Sequence, residues 1–206
     1  MAFSDFQYPD VLDRFGLTEQ TVPDLFGGVP SVPVPSGFDV LLQRNAQVAL
    51  SINTEKARSE WLIAPVLGEF FLRHAGVVNL HSGTWFDADP ADGLSGYSDF
   101  LLGRGPQRPQ LTVPILVVVE AKNENIYQGF GQCIAGMVGA RRHAARRGVP
   151  LETVFGCSTI GTNWRFLRLT GADLAIDLRE YLFSETGRIL GILTHMLGPL
   201  PVPAAA

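Results

Sequence analysis

Between Asn53 and Leu169 the apolar positions follow two periods. Thr54 is suited to capping a helix, and from it Trp61, Leu62, Ile63, Val66, Leu67, Phe70 and Phe71 recur at the three- and four-residue spacing of one helical face. Pro65 predicts a bend in that helix and Gly76 its end. Glu60 falls on the stripe of Ile63, Ala64, Leu67 and Phe71, so the pattern sends its carboxylate where the apolar face points. Glu69 faces the other way, with Arg73 at i+4, and reads as half of a surface ion pair. Val77–Leu80 and Ser95–Leu102 read as strands, followed by a Gly/Pro/Gln loop over 103–114. Next comes Ile115-Leu116-Val117-Val118-Val119-Glu120-Ala121-Lys122, whose lack of alternation predicts a central strand covered on both faces. A helix over about Gln132–Arg147 follows, then strands at Thr153–Ser158 and Asn163–Leu169. Ile189, Leu190, Ile192, Leu193, Met196 and Leu197 outline a closing amphipathic helix. The order αβββαββ predicts an α/β fold, a short mixed sheet flanked by helices.

Proline changes the picture at both ends. Five of the fourteen prolines fall in the first 36 residues, and three more are Pro199, Pro201 and Pro203. Proline blocks regular pairing, so the expected organisation is an acidic N-terminal arm over 1–50, a domain over 51–198 and a C-terminal tail over 199–206. No apolar run approaches the roughly 20 residues of a membrane helix, and an early acid in Met-Ala-Phe-Ser-Asp is unlike a signal peptide. Cys133 and Cys157 sit in apolar segments without a CxxC pair, which predicts reduced buried thiols and a cytoplasmic protein. The net charge of −4 belongs to residues 1–50, which hold six acids against two arginines, leaving fourteen of each sign beyond them. An acidic total therefore does not exclude a nucleic-acid partner, which needs only a local basic surface.

Common catalytic signatures are missing. Gly129, Gly131 and Gly136 miss the dinucleotide spacing, there is no phosphate-binding GxxxxGK, and Gly156 to Gly161 is one residue too long for a nucleophile elbow. His74, His81, His143 and His195 are scattered, with no pair at zinc-ligand spacing.

The end of the apolar strand is what remains. Glu120 and Lys122, two residues apart, project to one face. Either the strand ends at Val119 and both are solvated, or they are paired, metal-bound or set at a cleft, because unpartnered buried charge costs several kcal/mol. Lysine occurs only at Lys56 and Lys122 against fourteen arginines. A compact ammonium there can orient or deprotonate water as a guanidinium cannot. Asp99 lies within an apolar strand. If the 103–114 loop folds back in the register that pairs residue 99 with 120, a divalent cation between the two carboxylates relieves their repulsion.

Ser59-Glu60 opening a helix, Gly96-Tyr97-Ser98-Asp99-Phe100, Val118-Val119-Glu120-Ala121-Lys122 and Gly131-Gln132 together resemble the PD-(D/E)XK nuclease superfamily, in particular bacterial members with a Glu-Ala-Lys motif. Ser98 stands where the family's proline is expected. The resemblance covers about 54–169 and implies a restriction-endonuclease-like αβββαβ core. It further implies that Asp99, Glu120 and Glu60 form the Mg²⁺ (or Mn²⁺) site, that Lys122 positions or activates water, and that Gln132 sits nearby. For Gln132, bonding of exposed helix-terminal amides is an equal alternative.

The expected function is Mg²⁺-dependent hydrolysis of nucleic acid, DNA or RNA, by an endonuclease or exonuclease. The alternatives are a non-catalytic binding or assembly module of the same fold in a defence or DNA-repair system, and an α/β binding domain in which the spacing is accidental. Arg141, Arg142, Arg146 and Arg147 are the densest basic cluster, fitting a helix C-terminus better than a DNA-binding face. Trp164 reads as core rather than as a stacking platform. The closing helix would supply an interface for a homodimer.

Overall fold

A computed structural model describes residues 1–199; all of the expected tail but Pro199 lies outside the described residues. Helices α1 (Asp10–Phe15), α2 (Phe38–Ile52), α3 (Glu55–Arg58), α4 (Ala64–Arg73), α5 (Phe130–Arg146) and α6 (Thr186–Met196) surround one mixed sheet. Its strands are β1 (Thr18–Val22), β2 (Val78–Asp89), β3 (Leu94–Arg104), β4 (Ile115–Ala121), β5 (Thr153–Thr159), β6 (Asn163–Thr170), β7 (Asp173–Asp177) and β8 (Tyr181–Leu182). Their order is β1-β7-β6-β5-β4-β3-β2, with β8 added to β6. The α/β class expected from the pattern holds, but eight strands make the sheet larger than the short one expected.

Every residue of β4 is buried, as its unbroken apolar run predicts. Side chains of β4 alternate between two cores. Val117 and Val119 join Leu67 and Phe70 of α4 and Ile189 and Leu193 of α6, while Val118 joins Ile134, Met137 and Val138 of α5. β4 runs antiparallel to β3 and parallel to β5, so its C-terminal end emerges where neighbouring strands run in opposite senses.

Residues 1–50, expected as an N-terminal arm, pack against the rest of the chain. β1 pairs in parallel with β7, and Phe3, Phe6 and Val11 enter the α5 core. Gly131 permits this approach, since a Cβ there would lie 2.3 Å from the Phe6 carbonyl oxygen. The proline-rich stretch is extended, as expected, but it lies along α6: Val32 N–H donates to the Gly187 carbonyl at 3.0 Å, and a Cβ on Gly191 would stand 2.3 Å from the Pro30 oxygen. Proline forbids pairing yet leaves carbonyls and rings free to pack, which pattern reading of isolated segments does not register.

The helix over 55–73 contains a π turn, Ser59–Ile63, just before Pro65. Pro65 has no N–H for the Trp61 carbonyl, which instead accepts from Asn45 Nδ2 of α2 at 2.9 Å. One residue of extra winding changes the phase of everything ahead of it.

Candidate active site

Phe100, Leu101 and Leu102 pair with Val119, Val118 and Val117, and the next step of this ladder sets Asp99 across from Glu120. The assumed register is the observed one. Asp99 Oδ2 accepts the Ala121 N–H at 2.8 Å, fixing the carboxylate against the end of β4. Glu120 is 1% exposed, and its Oε2 has no hydrogen-bond partner. Burial pushes the Glu120 carboxyl well above the usual carboxylate range; the Asp99 charge adds to this and Lys122 opposes it.

Lys122 stands one step past β4. Its N–H donates to the Thr159 carbonyl at 2.8 Å, and its Nζ donates to Gln132 Oε1 at 3.2 Å. Gln132 lies in the first turn of α5, so this helix start carries the side chain that holds the ammonium. Asp99, Glu120, Lys122 and Gln132 thus converge.

Glu60 does not project into the core. It is 55% exposed and pairs with Lys56 at 2.8 Å, because the π turn breaks the stripe on which its inward orientation was based. It still lines the outer wall of a cleft of about 290 Å³ that Asp99, Ser82 and Gly83 line from the sheet side. Glu55, on the same wall, is the acid that sequence reasoning passed over. Partial burial raises its carboxyl, Lys122 lowers it and Asp99 raises it, so it shares the field of the central groups. Thr54 Oγ1 accepts the Ala57 N–H at 3.2 Å, which makes Glu55 the first residue of the helix; that cap was the available signal.

Arg58 ties this helix to the end of the sheet. It is 8% exposed and donates to Asn123 Oδ1 at 3.1 Å, the Ile160 carbonyl at 2.9 Å and Asn53 Oδ1 at 3.0 Å. One guanidinium thereby joins the approach to Glu55, the loop after Lys122 and the β5–β6 turn.

The basic cluster lies elsewhere and is occupied. Arg142 bonds Asp89 at 2.9 Å and also Asp92, Arg146 bonds Asp89 at 2.7 Å, and Arg141 bonds the Gly171 carbonyl. Trp164 is fully buried with Nε1 donating to the Gly161 carbonyl at 3.2 Å, and Glu69 pairs with Arg73 at 2.6 Å. Cys133 and Cys157 are buried free thiols. The apolar residues of α6 pack into this chain's own core.

Among the described residues, no group of three or more His, Cys, Asp or Glu has metal-binding geometry. Two carboxylates plus waters suit Mg²⁺ or Mn²⁺ better than a closed zinc cage, and the orphaned Glu120 Oε2 beside Asp99 fits such an ion. No helix among these residues is long and apolar enough to cross a membrane. In comparisons with known proteins, no family model and no curated protein matches the chain.

Proposed function

We propose that the chain is a metal-dependent nuclease with the restriction-endonuclease-like αβββαβ core of the PD-(D/E)XK superfamily, hydrolysing phosphodiester bonds of DNA or RNA. The core would be the helix over 55–73, then β2, β3, β4, α5 and β5. The observation that carries the reading is the unpartnered, buried Glu120 oxygen across from Asp99, with Lys122 two residues on. Burying two carboxylates together is costly unless a cation or a proton is shared between them, and a fold without use for the pair gains by losing one.

In this reading Asp99 and Glu120 would hold Mg²⁺ (or Mn²⁺), with Glu55 facing them from the other wall of the cleft, while the more exposed Glu60 stays paired with Lys56. The bound ion supplies Lewis acidity and lowers the pKa of a coordinated water. Lys122, aimed by Gln132, orients the attacking water and offsets negative charge gathering at the scissile phosphate. In this reading Lys56, the other lysine and 81% exposed on the cleft wall, would exchange its Glu60 partner for a neighbouring phosphate.

The test is cleavage of plasmid, single-stranded DNA and RNA by the full chain with Mg²⁺, Mn²⁺ or chelator, alongside Glu120→Gln. The proposal expects metal-dependent cleavage that falls at least a hundredfold in the variant. Equal cleavage by both proteins, or none with either metal, refutes it.

A second reading, a non-catalytic binding or assembly module in a defence or DNA-repair system, is favoured by one observation: Asp89 and Asp92 already neutralise Arg142 and Arg146. A thermal shift on adding Mn²⁺ that is lost in Asp99→Ala speaks against that module.

A further inference from the structure

The β2–β3 hairpin ends in two large aromatic side chains that its own core does not use. Trp85 and Tyr97 are directly paired across the strands, with ring centroids 5.2 Å apart at an interplanar angle of 81°. They remain 53% and 67% exposed. The opposite side of the same hairpin already anchors it, through Phe86, Ala88 and Leu94 in the α5 core. A cross-strand pair serving only hairpin stability would bury more of its area; the edge-to-face arrangement leaves most of both rings open to solvent.

Phe86 and Leu94 enter the α5 core, so Trp85 and Tyr97 project from the opposite face of the hairpin, the face on which Phe100 joins the α4 core and its partner Ser82 lines the cleft with Asp99. Gly83 lies between the paired positions Ser82 and Thr84, hence across from Asp99, and a Cβ there would meet nothing within 4 Å. Opposite stands the wall bearing Lys56.

We infer that Trp85 and Tyr97 form a stacking platform for unpaired nucleobases, so that the cleft takes a single-stranded segment and not an intact duplex. This deepens the nuclease reading and rests on it for the identity of the site. Every base has a π face, so such a platform holds a strand without reading its sequence, while a paired and stacked duplex presents none. Stacked bases on the hairpin bring the adjoining phosphate toward Asp99, and Lys56 supplies charge along the backbone.

The experiment measures binding of fluorescein-labelled oligo(dT), oligo(U) and a DNA duplex by anisotropy in Ca²⁺ and in chelator, with tryptophan quenching read in parallel. Proteins are the full chain, Trp85→Leu, Tyr97→Leu and Trp61→Phe, with unaltered folding checked by melting. Oligo(dT) or oligo(U) should bind at least tenfold tighter than duplex and quench tryptophan fluorescence. Trp85→Leu and Tyr97→Leu should each weaken binding about tenfold, the scale of one lost base stack. Trp61→Phe should bind as the parent does. The two single-stranded arms separate DNA from RNA. Equal affinity of folded Trp85→Leu and Tyr97→Leu, or duplex bound as tightly as single strand, overturns the platform. Absence of metal-dependent cleavage with aromatic-dependent binding intact defeats the nuclease reading and leaves the platform standing.

Discussion

Replacing Glu120 with Gln should stabilise the metal-free protein at alkaline pH, an unusual expectation for a fully buried side chain. The parent places two carboxylates across from each other on β3 and β4, with Glu120 Oε2 unpartnered. Cross-strand neighbours stand about 5 Å apart, where two charges at an effective dielectric near 20 repel by about 3 kcal/mol. Proton uptake by Glu120 caps that cost, and Lys122 offsets part of it, so the expected gain is about 1–2 kcal/mol, or roughly 3–6 °C in melting temperature for a domain of this size. Its pH dependence follows from the raised Glu120 pKa. A carboxyl that holds its proton more tightly when folded costs stability above its folded pKa. That cost fades as pH falls toward the ordinary carboxylate range. Melting of parent and Glu120→Gln in chelator, from about pH 8 to about pH 5, should show a gain that shrinks as pH falls. A variant that melts lower at every pH, or a difference independent of pH, would refute the reasoning.

Glu55→Gln should weaken Mn²⁺ binding and cleavage several-fold, while Glu60→Gln, removing only an exposed partner of Lys56, should change either by less than twofold; titration calorimetry and initial rates compare them. Phe3→Ala should cost about 3–5 kcal/mol in a denaturant melt, because Phe3 is 1% exposed and stacks on Phe86 at 5.6 Å; a free arm would show no loss. Arg146→Ala should leave oligonucleotide affinity unchanged in an anisotropy titration, since its guanidinium is already committed to Asp89. Leu193→Ala should destabilise by about 2–5 kcal/mol with the elution volume unchanged, because Leu193 packs into this chain's own core.

What could be read from the chain without its structure depended on the range of the interactions. The run Ile115–Val119 announces a central strand because burial on both faces leaves no polar position to alternate. The Asp99–Glu120 pairing had to be assumed, because the register shifts between Leu102 and Gly103 and a strictly symmetric 103–114 loop would pair residue 99 with 118. Thr54 and Gly76 mark the helix ends through local hydrogen bonding and backbone freedom. Glu60 was misplaced because a π turn before Pro65 depends on Asn45 of a separate helix donating its Nδ2 N–H to the stranded Trp61 carbonyl. The N-terminal residues were misread for a similar reason: β1 finds its partner β7 some 150 residues away, and five short polar-rich residues carry no sign of that pairing. The role of Arg58 has no local signature, being a meeting of three segments distant in sequence.

Titrating Mn²⁺ into the full chain by calorimetry, in two buffers of different ionisation enthalpy, tests the central claim most directly. A bivalent ion between Asp99 and Glu120 should give saturable binding with proton release near neutral pH, and both signals should vanish in Glu120→Gln and Asp99→Asn. Heats indistinguishable from dilution, or binding that survives both substitutions, would contradict it.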